Sequence, residues 1–286
     1  MRPPGGGRTV LISGCSTGIG RATALRLDAA GWRVFAGVRR EEDAASLAAE
    51  GGEGLAPVIL DIADSASIDL LRERLEAESA GGLDGLVNNA GIAVSGPLEF
   101  VPLDDFRRQI EVNLIGHLAM TQAFVPALRR TRGRIVNVTS IGGVVATPFF
   151  GPYCASKFGL EALGDCLRVE LRPWGIDTIA IEPGSIATEI WQSGARVFAE
   201  MRERMAPEAS GLYGEAMEAT ARASAETGAR GIAPDLAAAA IEKALTARRP
   251  RARYLVGRDA VGMVAGKRLL PARAYDRLTA RVLKLP

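Results

Sequence analysis

Lysine is scarce in this chain of 286 residues: of its 35 lysines and arginines, Lys157, Lys243, Lys267 and Lys284 are the lysines, and arginine supplies every other cation. Histidine is scarcer still, with His117 alone. Cysteine is limited to Cys15, Cys154 and Cys166, too few for a disulfide framework and without zinc-ligand spacing. The three read as small buried side chains, and no metal site is expected. No window offers about 18 consecutive apolar residues, so no spanning helix is expected. A formal net charge of +2 gives no global electrostatic reason to expect nucleic acid as a partner. Arg249, Arg251 and Arg253 read as a solvated patch. The start, Met1 to Gly7, lacks the apolar core of a signal peptide. Together these absences describe a soluble, cytoplasmic protein.

What is present is a rhythm. Apolar runs at 9–13, 33–38, 56–61, 84–88, 134–139, 176–181 and 253–256 alternate with helical stretches at about 18–30, 65–79, 103–130, 152–172 and 234–247. Such alternation predicts an α/β fold: one Rossmann-type, doubly wound parallel sheet of about seven strands, with helices on both faces. Runs such as Ile135-Val136-Asn137-Val138 suit strands covered on both sides. Residues 185–230 break the rhythm, with Phe198, Met201, Met205, Leu212, Tyr213 and Met217 at irregular spacing. The chain therefore reads as a single domain with a late helical insertion and a tail from Gly257.

Ser13-Gly14-Cys15-Ser16-Thr17-Gly18-Ile19-Gly20 follows the first strand and opens the first helix. In that position glycine permits a tight turn and close backbone approach, and the helix N-terminus offers free N–H groups to a pyrophosphate. Tyr153 and Lys157 lie four apart in a helical stretch and so share one face. A phenol with a pKa of about 10 exchanges protons poorly near neutrality, and a nearby ammonium would lower that value. The pair is suited to general acid–base work.

The Gly-x-x-x-Gly-x-Gly spacing with Tyr153-x-x-x-Lys157 resembles the short-chain dehydrogenase/reductase family. Asn88-Asn89-Ala90-Gly91, Asn113, Ser140, and Pro183-Gly184 with Thr188 beyond follow in the family's order. The stretches around the loop and Tyr153 are most similar to the hydroxysteroid and retinol dehydrogenase branch. The resemblance implies a catalytic set of Asn113, Ser140, Tyr153 and Lys157. Ser140 would hold the substrate oxygen, Lys157 would grip the nicotinamide ribose, and Asn113 would hold a water linking Lys157 to solvent. It further implies a cofactor site of Gly14, Ser16, Thr17, Gly18, Ile19, Gly20, Arg39, Asp61, Ile62, Asn89, Ala90, Gly91, Tyr153, Lys157, Pro183, Gly184, Ile186 and Thr188. Relatives are usually dimers or tetramers through the two long helices, so a homo-oligomer is expected by resemblance.

The cofactor is chosen at the end of the second strand, where a carboxylate favours NAD and an arginine suits a 2′-phosphate. Val38 stands in the acidic slot and Arg39 follows. NADP(H) is favoured, with NAD(H) the alternative. The substrate wall is expected from Ser140, Ile141, Val145, Phe150, Tyr153 and Gly184, with the insertion as a methionine-bearing lid. That suits a small hydrophobic alcohol or ketone, steroid- or retinoid-like. A catalytically silent NADP-binding regulator, and a reductase of small non-steroid ketones, are the alternatives. His117 has no glycine-flanked serine elbow to serve and reads as structural. The basic, amphipathic tail reads as packing on the fold or on a neighbouring subunit, with weak peripheral membrane contact as the other reading.

Overall fold

The computed structural model describes residues 7–78 and 82–282. Most of the proline- and glycine-rich start, residue 79 of the helix expected at 65–79, and Leu283 and Lys284 of the tail lie outside the described residues.

Seven strands form one parallel sheet: β1 (Thr9–Ile12), β2 (Arg33–Val38), β3 (Leu55–Ile59), β4 (Gly85–Asn88), β5 (Arg134–Val138), β6 (Asp177–Pro183) and β7 (Arg253–Val256), in the order β3-β2-β1-β4-β5-β6-β7. Side chains alternate across each strand. Val10 and Ile12 face a layer that includes Ala24 and Leu27 of α1 (Gly18–Ala29), Leu47 of α2 (Glu41–Glu50) and Ile241 and Leu245 of α9 (Pro234–Thr246). Leu11 faces the other way, toward Leu71 and Leu75 of α3 (Ser65–Glu78) and Met120, Phe124 and Leu128 of α5 (Gly116–Thr131). The strand order reverses between β1 and β4, and such a reversal opens a crevice at the carboxyl ends of the strands.

Several boundaries differ from the sequence expectation. β3 stops at Ile59, which leaves Asp61 in the loop beyond it. The stretch 103–130 is not one α-helix: α4 (Leu103–Ile110) passes through a single π turn, Glu111–Ile115, into α5. Helix α2 was not expected, although Glu41, Glu42 and Asp43 crowd its first turn, where the helix dipole favours acids. The insertion is regular: α7 (Ile190–Arg204) and α8 (Glu208–Ala229). Its periodicity is hidden because α8 presents mostly Ala, Gly, Ser and Thr. Met201 of α7 is fully buried with Val94 and Val101. The tail continues from α6 (Gly151–Glu170), β6 and β7 as α10 (Arg258–Leu269) and α11 (Ala272–Val282). Ala260, Val264 and Tyr275 are buried there, so its described part packs on the fold.

Gly20 sits where α1 presses on the loop before it. A Cβ at this position would lie 2.1 Å from the Gly14 carbonyl oxygen and 2.5 Å from Asn89 Nδ2. Gly211 in α8 has nothing within 4 Å of the same point. Glycine-to-alanine exchange inside a helix gains about 1 kcal/mol from propensity, whereas overpacking costs about 1–3 kcal/mol or more. The two alanine variants should therefore move in opposite directions. Gly20→Ala is expected to lower the thermal unfolding midpoint and Gly211→Ala to hold or raise it. A midpoint for Gly20→Ala at or above that of the parent would show that this contact does not limit stability.

Candidate active site

A cleft of about 1960 Å³ opens at the carboxyl ends of the strands. Its wall carries Gly14, Ser16, Thr17, Gly18 and Ile19 from the first loop; Arg39, Asp61 and Ile62 from the next two; and Asn89, Ala90 and Gly91 after β4. Ser140, Ile141, Phe150, Tyr153 and Lys157 follow, then Pro183, Gly184, Ile186 and Thr188. Three expected site residues are not on that wall: Gly20, Asn113 and Val145. Gly20 serves the helix–loop contact described above. Val145 is 1% exposed, with its N–H on the Ile141 carbonyl, so its side chain belongs to the core and not to the substrate wall.

The glycine loop is shaped for a ligand that needs backbone at close range. Gly14 and Gly18 have φ of +72° and +57°, a region that favours glycine. A Cβ on Gly14 would lie 2.7 Å from Ala90 Cα, and one on Gly18 2.9 Å from Thr188 Cγ2. Helix α1 starts here with Thr17 as an extended N-cap whose side chain makes no capping bond. The first-turn N–H groups are thus left for an anion. Asn89 Nδ2 donates to the carbonyls of Ser13 and Gly14, both at 2.9 Å, and Ser13 Oγ accepts from the N–H groups of Asn89 and Ala90. Ser13, immediately before the loop and not singled out from the sequence, fastens the loop to β4. These residues fit a dinucleotide pyrophosphate. Farther along, Arg40 is tied to Asp43 at 3.0 and 3.1 Å. Arg39 is exposed on the cleft wall and forms no ion pair among the described residues.

Tyr153 and Lys157 lie on consecutive turns of α6, with Nζ 5.8 Å from the ring centroid. Lys157 is 3% exposed, and its Nζ donates to the Val138 carbonyl at 2.9 Å. Burial pulls its pKa down to about 8, with the charge of Glu161 opposing. The expected lowering of the Tyr153 pKa by this ammonium does not occur in the protein alone. Burial pushes Tyr153 up to about 12, and a hydrogen bond from Ser140 counters only part of that rise. Ser140 Oγ accepts from the Gly142 N–H at 3.0 Å, which leaves the hydroxyl proton free to donate. Gly142 also makes room for the phenol, since a Cβ there would lie 3.1 Å from Tyr153 Cε1.

Asn113 sits in the π turn, a helix irregularity that recurs at functional sites. It is fully buried, and its side chain holds the chain after β4 rather than facing the cleft. Oδ1 accepts from Ile92 N–H at 2.9 Å, and Nδ2 donates to the Ile92 carbonyl at 3.0 Å and to Ser156 Oγ at 3.3 Å. Those bonds occupy both ends of the side-chain amide. Gln109, one helical turn earlier, repeats the clamp. Its Oε1 accepts from Val94 N–H at 2.6 Å, and its Nε2 donates to the Ile92 carbonyl at 3.0 Å. Sequence reading missed it, although a glutamine one turn from Asn113 was the available signal. His117 is buried, its Nε2 is 2.8 Å from the Ala90 carbonyl, and burial, aided by the charge of Lys157, lowers its pKa to about 3. It is held neutral and has no serine partner among the described residues.

Phe149, Phe150, Ile190, Trp191, Phe198 and Met217 add apolar surface to the cleft lining. Phe149 has φ of +65°, a strained setting for a bulky residue, and its carbonyl accepts from the Gly96 N–H at 2.6 Å. No helix among the described residues is long and apolar enough to cross a membrane, and no group of metal-ligating side chains occurs among them.

Comparison with known proteins agrees with this geometry. A family model described as short chain dehydrogenase matches residues 8–196. Mouse retinol dehydrogenase 5 is 36% identical over 284 residues, covering 97% of this chain and 89% of that protein. A short chain dehydrogenase from Burkholderia cenocepacia J2315, solved in complex with NADP, has a TM-score of 0.73 at 27% identity, covering 96% of this chain and 98% of that one. A short chain dehydrogenase/reductase from Burkholderia phymatum, solved in complex with NAD, has a TM-score of 0.77 at 25% identity, covering 91% and 92%. The chain thus belongs to the short-chain dehydrogenase/reductase family, on its retinol and hydroxysteroid dehydrogenase branch, and is a nicotinamide-dependent oxidoreductase acting on CH–OH groups.

Proposed function

We propose that this protein transfers a hydride between NADP(H) and the carbinol or carbonyl carbon of a bulky apolar alcohol or ketone, with steroids and retinoids the substrate class. The observation that carries the reading is that Tyr153, Ser140 and buried Lys157 line the same cleft as a glycine cradle. When bound, the nicotinamide supplies or accepts the hydride. In reduction, Ser140 donates a hydrogen bond to the carbonyl oxygen, and Tyr153 gives that oxygen its proton as charge develops there. The raised pKa of Tyr153 keeps the phenol protonated for this step. Lys157 has three ammonium protons, and with one on Val138 the others are available to the ribose and to the proton path.

Choice of NADP(H) is supported by Val38 in the acidic slot and by an exposed Arg39 without a carboxylate partner among the described residues. Substrate size is supported by the cleft, about twice the ~1,000 Å³ upper range of ordinary ligand sites. That leaves room for a dinucleotide and a second large molecule beside Trp191, Phe198 and Met217. A homo-oligomer is supported by the exposed Ile115 and Phe158 on the two long helical segments, 47% and 42% accessible.

Activity is best sought with NADPH and NADH in parallel against steroids, retinoids and small ketones. On the best substrate found, Tyr153→Phe should retain NADPH binding within about threefold while turnover falls at least about a thousandfold, within the range expected for general acid–base catalysis. Lys157→Arg keeps the charge but brings a bulkier head that gives up no proton, so turnover should fall at least about a hundredfold. Near-normal rates in either variant would remove that residue from the catalytic set.

Arg39→Ala should raise the KM for NADPH about tenfold or more, the scale of one lost charge-assisted contact, with the KM for NADH changed less than about twofold. Parallel changes for the two cofactors, or a parent enzyme that prefers NADH, would overturn the NADP assignment.

A further inference from the structure

The end of β6 and the turn that follows it, Pro183-Gly184-Ser185, line the same cleft as Tyr153 and Lys157. Most of its holds are backbone bonds. Gly184 N–H goes to the Val256 carbonyl at 2.8 Å, and Ile232 N–H to the Ser185 carbonyl at 3.0 Å. The Ser185 N–H is different: its acceptor is Oδ2 of Asp259, at 2.7 Å and 74 residues away in sequence. Asp259 is the second residue of α10, the start of the tail.

The surroundings are built around this carboxylate. A Cβ on Gly184 would lie 2.4 Å from Oδ1 and 2.5 Å from Oδ2, and one on Gly257 would lie 2.4 Å from Oδ1. Gly257, at φ +110°, makes the bend that brings α10 over the turn. Burial alone would raise the pKa of Asp259. Bonds from the Ser185 N–H and hydroxyl and from the N–H groups of Ala260 and Asp259 itself outweigh it and hold the carboxyl below its ordinary range. Asp259 and, one turn on, Met263 both reach the cleft wall.

We propose that Asp259 is a positioning residue: it ties the tail to the Pro183–Ser185 turn and so sets the wall against which the nicotinamide end of the cofactor is held. The inference rests on the cofactor reading above, in which Lys157, lining the same cleft, grips the nicotinamide ribose. It assigns the tail a task inside the subunit, by contact with a segment far away in sequence. Because the nicotinamide end is common to both dinucleotides, loss of this contact acts on NADPH and NADH alike, in contrast to Arg39.

The test uses full-length Asp259→Ala, Asp259→Asn and Gly184→Ala proteins, with the dissociation constants of NADPH and NADH read by fluorescence titration without substrate. Asp259→Ala is expected to weaken both cofactors about tenfold, or about 1.4 kcal/mol. Asp259→Asn should weaken them by less than about threefold, because its amide oxygen still accepts from the Ser185 N–H. Gly184→Ala should lose less affinity in the Asp259→Ala background than alone, since the clashing carboxylate is then gone, a coupling that a double-mutant cycle measures. An unchanged dissociation constant in Asp259→Ala would overturn the inference. So would equal losses in the alanine and asparagine variants, or an additive cycle; the asparagine variant and the Gly184→Ala protein decide the matter if Asp259→Ala does not fold. Wild-type protein that bound neither dinucleotide would instead overturn the functional reading itself.

Discussion

One ammonium taken out of water governs the arrangement of this active site. An unpaired buried cation costs several kcal/mol, so Lys157 can persist at 3% exposure only where neighbouring groups offset that cost. The Val138 carbonyl at the end of β5 accepts a hydrogen bond from it, and Glu161, one turn farther along α6, supplies opposing charge. The compensation is partial, which is why its pKa falls to about 8. Burial acts on Tyr153 in the opposite sense and raises its pKa to about 12. Both shifts favour the neutral form. The site therefore holds a firmly protonated acid beside an amine within reach of deprotonation, and a positively charged cofactor can shift that balance on binding. The same low-polarity surroundings keep His117 uncharged at about 3, so the only histidine of the chain stays out of the proton chemistry.

Such a site must be rigid, because a phenol and an ammonium on one helix are useful only if that helix is fixed against the opposite wall. Ser156, between the two, is the fastening. Its hydroxyl donates to the Tyr153 carbonyl at 2.7 Å and receives the side-chain amides of Gln109 and Asn113 at 3.4 and 3.3 Å. Those amides in turn hold the Ile92–Val94 backbone, the chain that continues from the cofactor loop after β4. All three side chains are fully buried, where a satisfied polar network resists distortion and an incomplete one is costly. The π turn at Glu111–Ile115 sits within this arrangement, between the helix carrying Gln109 and the one carrying His117.

How much of this is legible in the sequence follows from the range of each interaction. Strands buried on both faces are near-continuous apolar runs, so the sheet and its alternation with helices could be read directly. The glycine loop and the Tyr153–Lys157 pair are local patterns with local geometry, and they meet at the cleft. Boundaries set by tertiary contact were not legible: the end of β3 short of Asp61, or the break at Asn113. The helical character of the insertion was legible, but the regularity of α8 was not, because a helix facing a cleft with Ala, Ser and Thr has no apolar stripe to detect. In the protein without cofactor the Tyr153 pKa moves up instead of down, because adjacency in sequence reports the ammonium but not the loss of water around the phenol. The contact of Asp259 with Ser185 could not be found at all, since nothing in either segment announces a partner 74 residues away.

The scarcity of lysine has a structural counterpart in how the arginines are used. Arg253 reaches Asp165 at 2.8 Å, Glu161 at 3.1 Å and Glu182 at 3.1 Å, so one planar guanidinium serves three carboxylates from two elements. Glu182 shows what such a cluster withstands: burial, then the charge of Glu161, raises its pKa to about 7 despite that guanidinium. Arg134 likewise spans the carbonyls of Ala244 and Ala247 at 2.8 and 2.6 Å. A fork of five donors suits these positions, and a group that never loses its proton holds them at any working pH. Lys157 meets the opposite requirement. It needs a compact head that fits beneath Val138, protons left over for other partners, and a pKa that burial can bring near neutrality. Arginine builds the scaffold where several acceptors must be held at once, and lysine appears at the point where a proton has to move.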